Sequence, residues 1–220
     1  MSISEYIIYK NNQLIALNKP VAIGVQGDQS DDKALIDLAE IYCQHRLHLI
    51  HRLDRPASGL VLFAKNKRAL AHLNQQFQNR QVQKTYLAVV KNSPPKTQDQ
   101  LTHFLRKQHH KNRSSLVEAE STGAKKASLE YKVIGQIDNY YLLEINLITG
   151  RHHQIRAQLA AIDCPIKGDV KYGFKRGNRD RSIHLHSWKL KFQHPASGEE
   201  VLLEAPLPEG PVWEAFGQQQ

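Results

Sequence analysis

The sequence predicts an α+β fold: a mixed, mainly antiparallel central sheet flanked by helices and loops. Three observations predict it. Short runs read as strands, either alternating or wholly apolar. Segments with helical spacing fall between them without a regular strand–helix–strand alternation. Neither an internal repeat nor a clean linker interrupts the 220 residues, so residues 1–220 are expected to form a single domain with room for one sizeable core.

The elements follow in order. Residues 5–17 read as a hairpin, because Tyr6-Ile7-Ile8-Tyr9 and Leu14-Ile15-Ala16-Leu17 flank Asn11-Asn12, a pair that tolerates positive φ. Asn18-Lys19-Pro20 then breaks the strand. Residues 32–46 read as a helix with Leu35, Leu38, Ile41 and Tyr42 on one face. Leu60-Val61-Leu62-Phe63-Ala64 is a buried strand. Residues 67–80 form a second helix carrying Leu70, Leu73 and Phe77, and Thr85-Tyr86-Leu87-Ala88-Val89-Val90 is a strand. Residues 91–128 are the least regular stretch. Strands are expected at 128–134 and 140–148, a short helix after Gly150 with Ile155 and Leu159 inward, a basic Gly-rich segment at 167–181, and a strand at 183–192. The C-terminal Gln218-Gln219-Gln220 reads as frayed.

The formal net charge is +9, which points to a polyanionic partner. The segment Arg106-Lys107-Gln108-His109-His110-Lys111-Asn112-Arg113 holds neither a carboxylate nor an apolar residue. It reads as a loop that lays its cations on phosphates. Cys43 and Cys164 lie far apart and outside any C-x-x-C pair, so they read as free thiols in a reducing compartment, with no disulfide framework and no zinc site. The N-terminus lacks the basic-then-apolar pattern of a signal peptide. The apolar runs fall far short of the ~20 residues a membrane helix needs. A soluble cytoplasmic protein is expected.

The most informative run is His51-Arg52-Leu53-Asp54-Arg55-Pro56-Ala57-Ser58-Gly59-Leu60. A carboxylate between Arg52 and Arg55, against a core strand, should stay ionised and be held rigidly, as a nucleophile or base requires. A second block, Gln83-Lys84-Thr85-Tyr86, opens a strand and places Tyr86 32 residues after Asp54. Its tyrosine can stack on a base and exchange a proton. A third, Thr149-Gly150-Arg151-His152-His153-Gln154-Ile155-Arg156, turns from a strand into a helix whose N-terminus suits phosphate. Arg151 and Arg156 cannot both be buried without anionic partners. If the fold brings this block to Asp54, Arg156 is the natural counter-ion.

These blocks resemble the signatures of the RluA-type RNA pseudouridine synthases over roughly residues 5–206. The family's usual threonine at position 57 is Ala57 here. A fourth stretch, Cys164-Pro165-Ile166-Lys167-Gly168-Asp169-Val170-Lys171-Tyr172-Gly173, resembles a further family segment and is expected to be structural, shaping the wall of an RNA-binding cleft. Many relatives carry an S4-type RNA-binding domain ahead of the catalytic domain. With the first strand near residue 5, the expectation is a catalytic domain only.

The resemblance implies isomerisation of uridine to pseudouridine in structured RNA, rRNA or tRNA, with Asp54, Tyr86 and Arg156 as catalytic residues and no cofactor. Asp54 either attacks C1′ or removes the C2′ proton to give a glycal; the sequence leaves both routes open. Tyr86 stacks on the base and takes the C5 proton, and Arg156 pairs with the catalytic Asp. The target uridine must leave its stack, and Arg52 is placed to fill the space or grip a phosphate. The expected RNA contacts are Arg52, Arg55, Lys84, Arg106, Lys107, Lys111, Arg113 and Arg151. A monomer is the default. The competing readings are a non-catalytic RNA-binding protein on the same scaffold and a metal-dependent hydrolase built on His152, His153, His184 and His186. The first does not need Asp54, Tyr86 and Arg156 together. The second needs three or four ligands, and no metal is expected.

Overall fold

The computed structural model describes residues 2–27 and 33–218. The chain divides into two compact units. The first holds the described residues up to Lys84 together with His186–Pro208, and the second Thr85–Leu185 together with the described residues from Glu209 on.

The first unit opens on a 3-10 turn at Ile3–Tyr6, then β1 (Ile7–Lys10) and β2 (Leu14–Lys19) pair antiparallel. The hairpin is the expected one, with its first strand starting later. Its turn is built by Asn11, whose Oδ1 accepts from the N–H groups of Gln13 and Leu14 at 2.8 Å each. The first helix, α1, is shorter than its periodicity suggests, spanning Leu35–Cys43. The start expected at residue 32 lies outside the described residues. Leu35 and Ala39 are its buried positions, whereas Ile41 is 61% exposed. Its inward stripe is therefore narrower than the one read from the sequence. Next come β3 (His48–Leu49) and β4 (Ser58–Ala64). All seven residues of β4 are buried, as its apolar run Leu60–Ala64 predicts.

One edge of β4 pairs antiparallel with β2. The other edge of β4 pairs antiparallel with β3 near its end and parallel with β10 (Leu185–Gln193) near its start. Strand β11 (Glu200–Glu204) pairs with β10. The second helix, α2 (Lys67–Gln78), is capped by Asn66, whose side chain accepts from the Ala69 N–H. Its Ala69 and Leu73 close over Leu14, Leu60, Leu62, Leu190 and Phe192.

The second unit is an antiparallel sheet in the order β5 (Gln83–Val90), β9 (Tyr140–Leu147), β8 (Lys125–Ile137), β6 (Gln98–Gln108) and β7 (Arg113–Val117). The chain enters this unit within β5 and leaves it at the start of β10. The basic segment 106–113 is therefore not a loop. Arg106 and Lys107 end β6, Arg113 begins β7, and only the turn between them is irregular, with Asn112 N–H donating to His109 O at 3.1 Å. The missed signal is the alternation of Leu101, His103 and Leu105, which face inward on β6 while Gln100, Thr102 and Arg106 are exposed on its other face.

The third helix, α3 (Gln154–Ala161), buries Gln154, Arg156 and Gln158 as well as Ile155 and Leu159. Gln158 Nε2 lies 3.1 Å from the carbonyl of Leu101 and 3.2 Å from that of Ala127, which fastens α3 to β6 and β8. A 3-10 turn at Val170–Tyr172 follows, and α4 (Pro211–Gly217) brings Phe216 against Gly135. Cys43 and Cys164 are free, the second fully buried.

Candidate active site

In the first unit, the approach to Asp54 is pinned from below. His51 Nε2 accepts from the Leu62 N–H at 3.1 Å, and its ring stacks on Phe77 with centroids 5.3 Å apart. That acceptor nitrogen must be unprotonated. Burial pushes the His51 pKa down to about 4, and the Lys84 charge adds to the effect. Arg52 is exposed, Leu53 buried, and Asp54 and Arg55 half-buried. The single inward leucine fixes the loop while its charged neighbours reach toward the surface. Ala57 N–H donates to the Asp54 carbonyl oxygen at 3.1 Å and closes the turn.

A residue absent from the sequence-based assignment holds this loop. Lys19 is fully buried. Its Nζ donates to the carbonyls of Pro20 (2.9 Å), Ile23 (3.0 Å) and Arg55 (3.2 Å). Burial pushes its pKa down to about 7, the Asp54 charge pulls it up, and the Arg55 charge pushes it down. Three carbonyl acceptors match the three protons of the ammonium form. Arg55 returns the tie, its Nε donating to Ala22 O at 2.8 Å. The signal for Lys19 is a lysine closing an apolar strand just before a proline.

Beyond the turn, Ser58 Oγ lies 2.9 Å from His186 Nδ1. Burial pushes the His186 pKa to about 4. Gly59 has φ +108°, and a Cβ there would meet the Ser187 carbonyl oxygen at 2.3 Å. Only glycine admits this approach of β4 to β10. Lys84 is half-buried, with Nζ 5.8 Å from the centre of the Phe77 ring, and burial pushes its pKa down.

In the second unit, Tyr86 is 7% exposed and sits opposite Ile145 on β5. The Thr149-Gly150-Arg151 turn is organised by Gln154. Its Oε1 accepts from Thr149 Oγ1 (2.7 Å) and from the Arg151 N–H (2.9 Å), so this amide is already taken. Arg151 is exposed, and its Nε donates to Lys126 O at 3.0 Å.

Arg156 is 4% exposed and is paired with a carboxylate on the following turn, Asp169. Its Nε and one Nη donate to the two oxygens of Asp169 at 2.7 and 2.9 Å. The Tyr172 ring lies under the same guanidinium at 5.1 Å and under that of Arg113 at 4.7 Å. Tyr172 Oη accepts from Ser114 N–H at 2.8 Å and lies 3.1 Å from His153 Nδ1. Lys171 Nζ donates to Asn112 O at 3.2 Å. The basic hairpin, the start of α3 and the 170–172 turn are thus fastened together. Arg106, Lys107 and Lys111 remain exposed on that hairpin.

The histidines have other work. His152 and His153 stack with centroids 3.9 Å apart, and His184 stacks on Trp213 at 5.5 Å. Among the described residues, no three His, Cys, Asp or Glu side chains gather as a metal ion would require. Among those residues, no helix is long and apolar enough to cross a membrane.

The sequence matches the family model described as RNA pseudouridylate synthase over residues 13–161. It is 34% identical over 210 residues to a Rickettsia conorii protein named ribosomal large subunit pseudouridine synthase C, covering 93% of this chain and 69% of that protein. The solved structure of human RNA pseudouridylate synthase domain containing 4 superposes with a TM-score of 0.81 at 26% identity, covering 99% of this chain and 94% of that one. Human RNA pseudouridylate synthase domain containing 1 gives 0.77 at 25% identity, covering 95% and 86%. The RluA-type signatures thus stand on the mixed, mostly antiparallel fold of these enzymes, and the chain belongs to the RNA pseudouridylate synthases, isomerases that act on uridine in RNA.

Proposed function

We propose that this enzyme isomerises a uridine of structured RNA with Asp54 as its catalytic carboxylate, and that the RNA is ribosomal. The observation that carries the Asp54 assignment is the clamp around it. Two ties, from Lys19 to the Arg55 carbonyl and from Arg55 to the Ala22 carbonyl, hold the following residue, and Leu53 anchors the preceding one. A carboxylate on a pre-set loop loses little freedom on reaching the reacting atom. The ribosomal assignment is supported by the names of relatives such as the Rickettsia conorii protein. Transfer RNA is the second candidate of the same chemistry.

In the proposed reaction the N1–C1′ bond breaks, the uracil turns, C5 bonds to C1′, the C5 hydrogen leaves as a proton, and N1 takes one up. Atoms and electrons balance within the nucleotide and solvent, so no cofactor takes part. Asp54 acts on the ribose, either as nucleophile at C1′ or as base at C2′. Tyr86 stacks on the uracil and receives the C5 proton, and Arg156 serves as counter-ion of the catalytic carboxylate, as its motif position implies. Arg52, exposed two residues before Asp54, occupies the space that the flipped uridine leaves. The phosphate contacts fall to Arg55, Lys84 and Arg151 and to the hairpin cations Arg106, Lys107, Lys111 and Arg113.

The test is to map pseudouridines in RNA from cells with and without the gene. One or more ribosomal positions should lose pseudouridine, regain it with the parent protein and fail to regain it with Asp54→Asn. A loss confined to transfer RNA would overturn the ribosomal assignment, and restoration by the variant would overturn the role of Asp54.

A further inference from the structure

We propose that Asp169 is a positioning residue of the reaction, acting through Arg156. The inference rests on the reading of Arg156 as counter-ion of the catalytic carboxylate. A lone guanidinium on α3 would be free to rotate about its last torsions. Here its edge and its face are both occupied. The edge formed by Nε and one Nη is bound side-on by both Asp169 oxygens, at 2.7 and 2.9 Å. Two parallel bonds fix the plane of the group as one bond does not. Its face lies over Tyr172 at 5.1 Å. Both partners of the ion pair are almost wholly buried, with side chains 5% and 1% exposed.

Asp169 is itself held by its backbone. Its N–H donates to Ile166 O at 2.9 Å, and its carbonyl accepts from the N–H groups of Tyr172 and Phe174 at 3.1 Å each. Gly168 just before it has φ +88°, and a Cβ there would meet Asn178 Nδ2 at 2.6 Å and Ser182 O at 2.7 Å. Asn178 is locked in turn, accepting from Lys167 Nζ at 3.1 Å and donating to Ser182 O at 3.0 Å. The Gly168–Asp169 turn therefore presents its carboxylate in one place, and that place sets the guanidinium. A wall-building role for this segment would need neither the side-on geometry nor the burial of the pair.

The test is a double-mutant cycle in single-turnover assays on RNA, with melting curves to show that each variant is folded at the assay temperature. Asp169→Asn removes one acceptor oxygen and turns an amide toward the guanidinium. We expect its kcat to fall about 100-fold, the usual cost of a small misplacement, with KM for RNA near the parental value. Asp169→Glu keeps the charge but displaces it by one methylene, so it serves if the Asn variant does not fold. It should lower kcat in the same direction. In an Arg156→Lys background, already slow, either Asp169 change should cost little more. Losses that multiply in the double variant would show that Asp169 acts independently of Arg156 and overturn the proposal. So would parental kcat in the folded Asp169 variants. Parental kcat for Arg156→Lys alone would instead overturn the counter-ion reading on which the proposal stands.

Discussion

Lys19 donates a hydrogen bond from its buried ammonium to the carbonyl of Arg55, the residue after the candidate catalytic carboxylate. The same nitrogen serves Pro20 and Ile23, so one cation fixes both the turn after β2 and the Asp54 loop. Lys19→Met fills the volume but orphans three carbonyls. At roughly 1–3 kcal/mol for each buried group left unsatisfied, a loss on the order of 3 kcal/mol is expected. Urea denaturation measures it, with activity falling in step as the loop loosens. A variant with parental stability would show that the three bonds contribute nothing net.

Three histidines should make the protein acid-sensitive above the carboxylate range. Burial pushes His51, His184 and His186 down to about 4 from an ordinary value of 6.5. Their folded pKa values are depressed, so between pH 6.5 and 4 the unfolded chain binds more protons than the native one. Stability is therefore present above pH 6.5 and is lost as pH falls through that window, by up to about 1.4 kcal/mol per pH unit for each histidine. Denaturant melts from pH 7 to 4.5 check this. A flat profile over that range would contradict the neutral, acceptor role of His51 against Leu62 N–H.

The hairpin cations should govern affinity rather than chemistry. Arg106, Lys107 and Lys111 are exposed. Replacing Arg106 and Lys111 by alanine should weaken RNA binding and lower the salt slope by about 0.7–0.9 for each phosphate that is no longer neutralised. The maximal rate at saturating RNA should stay within a few-fold. Binding titrations at several salt concentrations measure the slope, and an unchanged slope would remove this hairpin from the RNA-binding surface.

How much of this was legible in the sequence depended on where the physical signal lay. The Asp54 run, the Tyr86 strand and the Arg156 helix stand out because glycines, charges and strand ends follow one another in local patterns. Strand β4 announces itself by seven apolar or small residues in a row. The 106–113 hairpin is hidden because its run of cations and histidines holds no apolar residue, and the inward alternation of Leu101, His103 and Leu105 stops just before it. Helix α3 shows only Ile155 and Leu159 as inward in the sequence, because Gln154, Arg156 and Gln158 are polar. Their partners (Thr149, Asp169 and the Leu101 and Ala127 carbonyls) lie at sequence distances that no periodicity shows. Lys19 is marked in the sequence only as a lysine closing an apolar strand before a proline; its three carbonyl acceptors leave no trace in residue types. Asp169 is visible as part of a motif, but its task emerges only from its distance to Arg156.

Tyr86→Phe should separate stacking from proton transfer. The ring survives and the phenol is lost, so RNA binding should hold within about two-fold while release of the C5 hydrogen slows by roughly 100-fold or more, the scale of general-base catalysis. Binding titration and hydrogen-release rates on the same preparation measure both. A parental release rate would leave Tyr86 as a platform only.

Whether Asp54 drives uridine isomerisation is read out by tritium release from RNA labelled at C5 of uridine. Pseudouridine formation must expel that hydrogen. The parent protein should release tritium from RNA of cells lacking the gene, and a folded Asp54→Asn variant that still binds the RNA should release none. Release by that variant at a measurable fraction of the parental rate would contradict that role.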